Sequence, residues 1–383
     1  MEPREVDRMV RARESQTRNA FARSDFRAWE FEKVLGNGAF GLSVLLKDRD
    51  PLHIRGRKRK RVVLKRALVP ERGVDDFRRE MQVLWDLRGH SHISHMLDAT
   101  GAVEMFRPRA GRTASFLRRI LVAVTNPPEN IFKALSQHFG PAIILDYLEN
   151  GTMRDLIIKQ RSWGIQFPNR VLWSFYHCLV RACVGMTQRK EAPPEQPLEL
   201  ETPLREGQDQ DHYLLAHHDI AARNIMIGDL EPRVPEHRLV NKLVLIDFGL
   251  ADYTHAPRMA EVYNLTMVAR EVIYLIHPAA RMNEGFRECE GIPTEAWELY
   301  PMNGINYFPR LDPELRRLLA ESLSEVPARP SVRETFRRTQ LGVRKPAYAY
   351  ANAESESDQA IQELLQHMLY DADNDEIDED EMF

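Results

Sequence analysis

The stretch LLAHHDIAARNIMIG, residues 214–228, places a polar cluster between two apolar runs. The apolar runs predict buried structure on both sides of the cluster. Within the cluster, Asp219 and Asn224 lie five residues apart, with His217 before them and Arg223 between them. Acidic and amide side chains concentrated in a short connection between buried segments indicate a functional loop.

A second apolar segment, KLVLIDFGLADY at residues 242–253, leads into an Asp-Phe-Gly triplet that begins at Asp247. We expect the two carboxylates and the amide of Asn224 to converge. Asp219 is then placed to accept a hydroxyl proton. Asp247 and Asn224 supply the hard oxygen ligands that Mg²⁺ prefers on the phosphates of ATP.

The segment LGNGAFGLSV, residues 35–44, has a G-x-G-x-x-G spacing in a strand–turn–strand setting. Its glycines allow backbone N–H groups to approach phosphate oxygens without a Cβ in the way. An ordinary glycine-rich hairpin is the alternative for this segment taken alone. A dinucleotide-binding fold is disfavoured, because no helix begins at the third glycine.

The alternating strand VVLK ends at Lys65, and the amphipathic segment at residues 75–87 carries Glu80. A lysine on a buried strand needs a partner, and Glu80 can supply the ion pair that holds it against nucleotide phosphates. Considered as a pair, Lys65 and Glu80 are equally well explained as a surface lysine and a solvated acid on a helix.

In order and content, these motifs resemble the eukaryotic-type protein kinase superfamily from about residue 30 to about residue 340. The resemblance implies an α+β, bilobal protein-kinase-like fold, with a small mostly-β N-lobe, a larger mostly-α C-lobe and ATP in the cleft between them. If Asp219 and Asp247 were unrelated loop residues, five motifs would have to occur in this order by chance. The implied divisions are an N-terminal arm (1–28), the N-lobe and hinge (29–148), the C-lobe (149–345) and a largely disordered acidic tail (346–383).

The resemblance also implies roles for individual side chains. Leu145 stands at the gatekeeper position, the backbone of Asp146 and Leu148 faces adenine, and Val44, Val63 and Met226 sandwich the base. The implied catalytic residues are Asp219, Lys65, Glu80 and Arg223, and the implied metal ligands are Asn224 and Asp247. The implied ATP-binding residues are Gly36, Asn37, Gly38, Ala39, Phe40, Gly41, Val44, Val63, Lys65, Leu145, Asp146, Leu148 and Met226. An apolar column that couples the lobes is implied at Leu84, Met96, His217 and Phe248.

Departures from the family pattern concern the region that normally holds a peptide substrate. His218 stands where most such kinases carry arginine, which argues against switching by phosphorylation of the activation loop. The segment between Asp247 and Glu261 is too short for an ordinary activation segment. Residues 256–258, Ala-Pro-Arg, are at best a remnant of its anchor, so Arg329 is expected to lack its usual carboxylate partner.

Two further departures affect the catalytic loop and its support. Glu261 replaces the usual aspartate of the central helix and is expected to accept backbone N–H bonds around His217. The loop lacks the lysine that serine/threonine-type loops place two residues after Asp219, and Arg223 is the candidate substitute. The loop wording resembles that of tyrosine kinases, but the acceptor residue, Ser/Thr or Tyr, stays open.

Composition sets the remaining expectations for this 383-residue chain with a formal net charge of −4. Three cysteines without paired spacing support neither a disulfide framework nor a zinc site. Apolar runs are too short or too interrupted for a membrane span, and the N-terminus lacks a signal-peptide core, which predicts an intracellular, cytoplasmic or nuclear protein. The N-terminal arginines are interleaved with acids and lack aromatic partners, so no nucleic-acid role is expected. The oligomeric state stays unknown.

Segments with biased composition fall outside the motifs. Residues 101–140 and 187–211 are predicted surface insertions, and residues 55–66 and 371–383 form a basic and an acidic cluster. We hypothesise that the acidic cluster docks on the basic one and restrains the N-lobe.

The function expected from the sequence is a protein kinase that uses ATP and Mg²⁺ to phosphorylate a protein hydroxyl. A nucleotide-binding pseudokinase scaffold is the first alternative, motivated by the short segment after Asp247 and by His218. A kinase acting on a small molecule is the second alternative, motivated by the same missing peptide platform.

Overall fold

A computed structural model describes residues 3–22, 29–37, 41–48, 61–67, 74–99, 142–190, 196–204 and 214–371. Gly38, Ala39 and Phe40, the whole of the 101–140 insertion, the first half of the basic cluster (55–60) and the acidic cluster after residue 371 lie outside the described residues. The described part of the chain mixes helices and strands, so the coarse α+β prediction is confirmed.

Five strands of the described residues form one antiparallel sheet in the order β1-β2-β3-β5-β4. Its strands are β1 (Trp29–Asn37), β2 (Leu42–Asp48), β3 (Arg61–Arg66), β4 (Met96–Ala99) and β5 (Ala142–Asp146). Between β3 and β4 lies helix α2 (Val74–Asp86), whose Phe77, Met81 and Leu84 follow helical spacing and are buried. Glu80 lies on the same buried face of α2, which brings a carboxylate into the core.

Side chains alternate between the two faces of this sheet, because successive residues of a strand point in opposite directions. The cross-strand pairs Ser43–Lys65 and Val63–Leu145 put these residues on one face. The other face carries an apolar cluster formed by Leu42, Val44, Leu46, Val62, Leu64, Ala142 and Ile144.

Helix α1 (Pro3–Ala22) covers that apolar cluster and differs from the solvated arm expected there. Ala20 and Phe21 are buried in the cluster, and Thr17 accepts a hydrogen bond from the Arg66 guanidinium at 2.6 Å. The sheet exposes an apolar face that must be buried, and the last turns of α1 provide the apolar side chains that bury it.

The second part of the molecule is mainly helical and surrounds helix α4. Its helices are α3 (Met153–Trp163), α4 (Asn169–Met186), α5 (Pro257–Ile276), α6 (Pro313–Ser322), α7 (Val332–Val343) and α8 (Asp358–Gln366). Thr152 caps α3 in a capping box with Asp155. A Cβ on Gly342 of α7 would lie 2.2 Å from the Trp173 ring of α4, so this close helix packing requires glycine.

Short strand pairs join the helical part to the polar loops. Strand β6 (Leu214–Ala216) pairs with β9 (Asp252–Thr254), and β7 (Ile225–Ile227) pairs with β8 (Leu243–Leu245). The two-stranded β10 (Arg287–Cys289) and β11 (Ile292–Thr294) lie further along the chain. The first two pairs hold the loops that follow β6 and β8 side by side.

The chain from residue 346 to 371 packs on the helical part, so the prediction of a largely disordered tail is wrong for this stretch. Glu356, which is buried, accepts hydrogen bonds from the backbone N–H groups of Asn169 and Arg170 at 2.7 and 3.0 Å. These N–H groups open α4, which has no side-chain cap of its own at Pro168. A carboxylate at a helix N-terminus satisfies unpaired donors and favours the helix dipole.

Part of the insertion predicted at residues 187–211 is also buried. The backbone N–H of Ser91 bonds to the Glu199 carbonyl at 3.1 Å, and the Glu201 side chain is buried. Its proline- and glutamate-rich composition predicted a surface loop, but Glu201 reaches inward to a histidine.

Among the helices that the structure describes, none has a stretch both long enough and apolar enough to cross a membrane.

Candidate active site

Lys65 of β3 lies between two carboxylates from distant parts of the chain. Its Nζ is 2.6 Å from Oε1 of Glu80 and 2.7 Å from Oδ1 of Asp247. Burial disfavours the charged ammonium, but the two carboxylates outweigh it and raise the pKa of Lys65 above its ordinary value. The Lys65–Glu80 ion pair predicted from the sequence is therefore present, and the ammonium stays charged.

Asp247 follows β8 in a left-handed backbone conformation with φ of 60°. Non-glycine residues occupy this region at a cost, and such strain concentrates at functional sites. Burial favours its neutral form, but the Lys65 ammonium outweighs burial and holds the pKa of Asp247 below its ordinary value. Its side chain is 40% exposed whereas that of Glu80 is 1% exposed, so Asp247 is the carboxylate of this pair that reaches the solvent.

His217 connects the two polar loops from beneath. Its Nε2 is 3.1 Å from the Ile246 carbonyl, and its Nδ1 is 3.2 Å from the backbone N–H of Asp219. Burial lowers the pKa of His217 to about 4, so the ring is neutral near pH 7. The neutral ring then donates from Nε2 to Ile246 and accepts at Nδ1 from Asp219, which fixes the positions of both loops.

Asn264 of α5, rather than the predicted Glu261, supports the backbone around His217. Its Oδ1 accepts from the His217 N–H at 3.1 Å, and its Nδ2 donates to the Leu215 carbonyl at 2.8 Å. Glu261 lies about one turn earlier, where its carboxylate accepts from the N–H of Val332 at the start of α7. The prediction for Glu261 is therefore wrong. The side-chain amide of Asn264 supports this backbone by donating one hydrogen bond and accepting another.

Asp219 lies above this support and contacts both other polar residues of its loop. Asn224 donates from Nδ2 to the Asp219 carbonyl at 2.9 Å and to its Oδ2 at 2.8 Å. The exposed guanidinium of Arg223 forms an ion pair with Oδ1 of the same carboxylate. A 3₁₀ turn, Ala222–Asn224, folds the loop back so that these side chains meet.

Several residues predicted to hold adenine lie around the hinge that follows β5. Val63, Leu145, Leu148 and Met226 are half-buried, in contrast to their buried neighbours along β3, β5 and β7. Met226 forms a bridge with Thr152 just after the hinge. Asp146 accepts from Nδ1 of His95 at 2.8 Å, and its backbone N–H donates to the His95 carbonyl at 3.1 Å.

Val44 does not belong to this group. It is fully buried on the opposite face of the sheet, in the cluster under α1, and therefore cannot contact a base that lies on the Lys65 face. Ser43 pairs with Lys65 on that face, and Leu45 pairs with Val63. The prediction that Val44 lies on the Lys65 face is therefore wrong.

The glycines of the first hairpin differ in what surrounds them. A Cβ on Gly41 would lie 2.4 Å from the Arg66 carbonyl oxygen, so close backbone packing alone requires glycine there. Within the part of the chain that the structure describes, and apart from its two chain neighbours, no atom lies within 4 Å of a Cβ on the exposed Gly36. Open space at Gly36 leaves room for a ligand, and Asn37 ends β1 beside it.

The residues of the predicted apolar column lie in the core. Leu84, Met96 and Phe248 are buried in one cluster, and the rings of His217 and Phe248 lie 4.6 Å apart in an edge-on arrangement. Among these four residues, the described contact is the one between His217 and Phe248.

The departures noted in the sequence have structural counterparts. His218 is exposed with φ of 62° and lies 5.4 Å from the Tyr263 ring, centroid to centroid. Residues 256–258 begin helix α5. Arg329 donates to the Ser324 carbonyl at 2.6 Å and to the Thr266 hydroxyl at 2.7 Å.

A residue that sequence reasoning missed is Glu271 of α5, which lies beneath the loop that carries Asp219 and Asn224. Its buried carboxylate accepts a hydrogen bond from the backbone of Ala222, and burial raises its pKa to about 7. Helical spacing from Asn264 puts both residues on one face of α5, but the motif pattern contains no signal for an acid there.

No known protein family has a model that matches this chain, and no curated protein matches it either.

Proposed function

We propose that this chain binds ATP with Mg²⁺ and transfers the γ-phosphate to a protein hydroxyl. It would then be a divergent protein kinase, with the bilobal architecture that the sequence resemblance implies. The observation that carries the proposal is the position of Lys65 between Glu80 and Asp247, next to a loop in which Asp219 contacts Asn224. Phosphoryl transfer requires mainly positioning and charge stabilisation, and these groups are suited to both.

In this proposal each polar side chain has one task. Lys65, held by Glu80, places a positive charge against the α- and β-phosphates. Asp219 orients the acceptor hydroxyl and takes its proton, while Arg223 keeps a compensating positive charge beside that carboxylate. Gly36 lets the first hairpin approach the phosphates, and the Leu148 backbone meets the adenine edge.

The oxygen atoms present fit a magnesium ion. Asp247 offers a partly exposed carboxylate, and Asn224 uses Nδ2 toward Asp219, so its amide oxygen stays available as a ligand. Mg²⁺ favours a small number of carboxylate and carbonyl oxygens together with phosphate oxygens. When bound, the ion neutralises phosphate charge, and the protein holds Asp247 and Asn224 in place for it.

A small-molecule hydroxyl is the second candidate acceptor. The observation that favours it is the short connection between Asp247 and the start of α5 at Pro257, the middle of which pairs as β9 with β6. This connection offers little extended chain on which a peptide could lie.

The test is phosphoryl transfer by the purified full chain, with labelled γ-phosphate ATP, Mg²⁺ and generic protein substrates. Asp219→Asn is compared with the control Asp229→Asn, which alters an exposed aspartate a few residues beyond the loop. We expect transfer by wild type and by the control, and a loss of at least about 100-fold in Asp219→Asn.

Other outcomes discriminate the alternatives. Equal absence of transfer in wild type and Asp219→Asn, with Mg-ATP still raising the melting temperature, would support a nucleotide-binding scaffold. ADP release that small hydroxyl compounds stimulate and proteins do not would support the small-molecule kinase.

A further inference from the structure

Four buried polar side chains meet at a second place, outside the candidate active site. His92 lies between α2 and β4, Cys178 lies in the middle of α4, and His237 ends a 3₁₀ turn between β7 and β8. Glu201 reaches this place from the segment 196–204. None of the four is more than 2% exposed, so these groups meet away from water.

The distances bring three potential metal ligands together. Nε2 of His92 lies 3.1 Å from Nε2 of His237, and Sγ of Cys178 lies 3.9 Å from Nδ1 of His237. One ligand atom from each of His92, Cys178 and His237 can be chosen so that all lie within 4.8 Å of one another. Zn–N and Zn–S bonds of about 2.0 and 2.3 Å at tetrahedral angles separate ligand atoms by about 3.3 to 3.6 Å.

We propose that His92, Cys178 and His237 bind one zinc ion. Imidazole nitrogens and thiolates are ligands that Zn²⁺ takes in proteins, and three protein ligands leave the fourth coordination position open. His237 can offer only one of its two nitrogens, so the ligand atoms are spread over up to 4.8 Å and the widest pair must close by about 1.2 to 1.5 Å to reach zinc-binding distances.

Glu201 provides the support that such a histidine requires. Its Oε2 lies 2.6 Å from Nδ1 of His92, and its Oε1 accepts the His92 backbone N–H at 2.8 Å. A carboxylate on the non-ligating nitrogen fixes the tautomer of a metal-bound histidine and leaves Nε2 free to bind the ion. The charges also balance, because one thiolate and one carboxylate compensate a divalent cation inside a dry core.

A metal-free hydrogen-bond chain is the competing explanation. The Cys178 thiol would donate to Nδ1 of His237, His237 would donate from Nε2 to His92, and His92 would donate from Nδ1 to Glu201. The first of these contacts, at 3.9 Å, is long and weak for a thiol that is fully buried. A zinc ion uses the same sulfur more strongly.

The site has a structural consequence for the candidate active site. The His92 carbonyl accepts the backbone N–H of Leu245 at 2.9 Å, and the Leu245 carbonyl accepts that of Ser94 at the same distance. Leu245 ends β8, two residues before Asp247, and His92 follows the helix that carries Glu80. A bound ion would therefore fix the connection between the elements that carry these two carboxylates.

The test measures zinc in the full chain without ATP, so it does not depend on the proposed kinase activity. The purified protein is stripped with a chelator, incubated with Zn²⁺ or Co²⁺, passed through gel filtration and analysed for metal per chain. Cys178→Ser is compared with Cys183→Ser, a buried cysteine of the same helix outside the cluster.

We expect about one zinc per chain in wild type and Cys183→Ser, and none in folded Cys178→Ser. Cobalt-loaded wild type should show a thiolate-to-cobalt charge-transfer band together with the visible bands of tetrahedral cobalt. This spectrum needs no variant, so it stays decisive where Cys178→Ser fails to fold. Wild type that keeps neither metal after gel filtration, or equal metal in both serine variants, would overturn the proposal in favour of the hydrogen-bond chain.

Discussion

Lys65 and Asp247 are separated by 182 positions in the chain, yet Nζ of the lysine lies 2.7 Å from Oδ1 of the aspartate. Helix α2 adds Glu80 on the other side of the same ammonium. The strand that ends in Lys65 and the strand that precedes Asp247 belong to different sheets, so the contact joins the two parts of the molecule.

We predict that Lys65→Met destabilises the fold by about 3 kcal/mol, because it leaves the Glu80 carboxylate buried without its ammonium partner. Urea denaturation measures the change in the free energy of unfolding. Lys33→Met, at an exposed position of β1 in the same sheet, is the control and should change stability by less than about 0.5 kcal/mol. Equal effects of the two substitutions would show that the buried ion pair contributes nothing specific.

We predict that Asn264→Ala destabilises the fold by about 2 kcal/mol, because it leaves the His217 N–H and the Leu215 carbonyl without partners. Asn264→Asp should not restore stability, since a carboxylate cannot donate to Leu215. Glu261→Gln keeps an acceptor for Val332 and should be nearly neutral. A larger loss in Glu261→Gln than in Asn264→Ala, measured by thermal unfolding, would return the supporting role to Glu261.

We predict a pH-dependent effect of Glu271→Gln. The folded-state pKa of Glu271 is raised to about 7, so between pH 5 and 7 the folded state binds a proton that the unfolded state releases. Stability of the wild type therefore falls as pH rises through this range, and the glutamine variant lacks this loss.

The free energy of unfolding of Glu271→Gln, relative to that of the wild type, should increase by on the order of 2 kcal/mol between pH 5 and pH 8. Urea denaturation at several pH values measures this gain, and Glu288→Gln at an exposed position is the control. A pH-independent difference between Glu271→Gln and wild type would contradict the raised pKa.

We predict that Phe21→Ala destabilises the fold by about 3 kcal/mol, because the ring fills the cluster between α1 and the sheet. Asn19→Ala, at an exposed position of the same helix, should have little effect. If both variants unfold at the same denaturant concentration as wild type, α1 does not cover the sheet in solution.

The local motifs predicted part of the site correctly because they specify local chemistry. A lysine at the end of an apolar strand and an acid on the buried face of the next helix led to the Lys65–Glu80 pair. The short spacing between Asp219 and Asn224 likewise led to the expectation that they converge, and the 3₁₀ turn brings them into contact.

Errors arose where the answer depends on register or on contacts between distant segments. Val44 was assigned to the wrong face because a shift of one residue along a strand moves a side chain across the sheet. Glu261 was assigned from the family's usual aspartate position, whereas Asn264, one turn further along the same face of α5, makes the contacts.

Distant contacts also explain the elements that composition misjudged. Composition predicted solvent exposure for three elements: the arginine-rich α1, the chain from residue 346 to 371, and Glu201. Each of them packs buried side chains against a partner that the sequence does not identify. The cluster of His92, Cys178 and His237 escaped the rules of cysteine spacing for the same reason, since its members come from separate elements.

The most direct test of the central claim is calorimetric titration of ATP into the full chain, with and without Mg²⁺. We predict that the wild type binds ATP and that Mg²⁺ strengthens binding. Asp247→Asn should lose at least about tenfold in affinity with Mg²⁺ present, about 1.4 kcal/mol, and Asp229→Asn should bind like the wild type. Absence of ATP binding by the wild type, or binding that neither Mg²⁺ nor Asp247→Asn alters, would contradict the account.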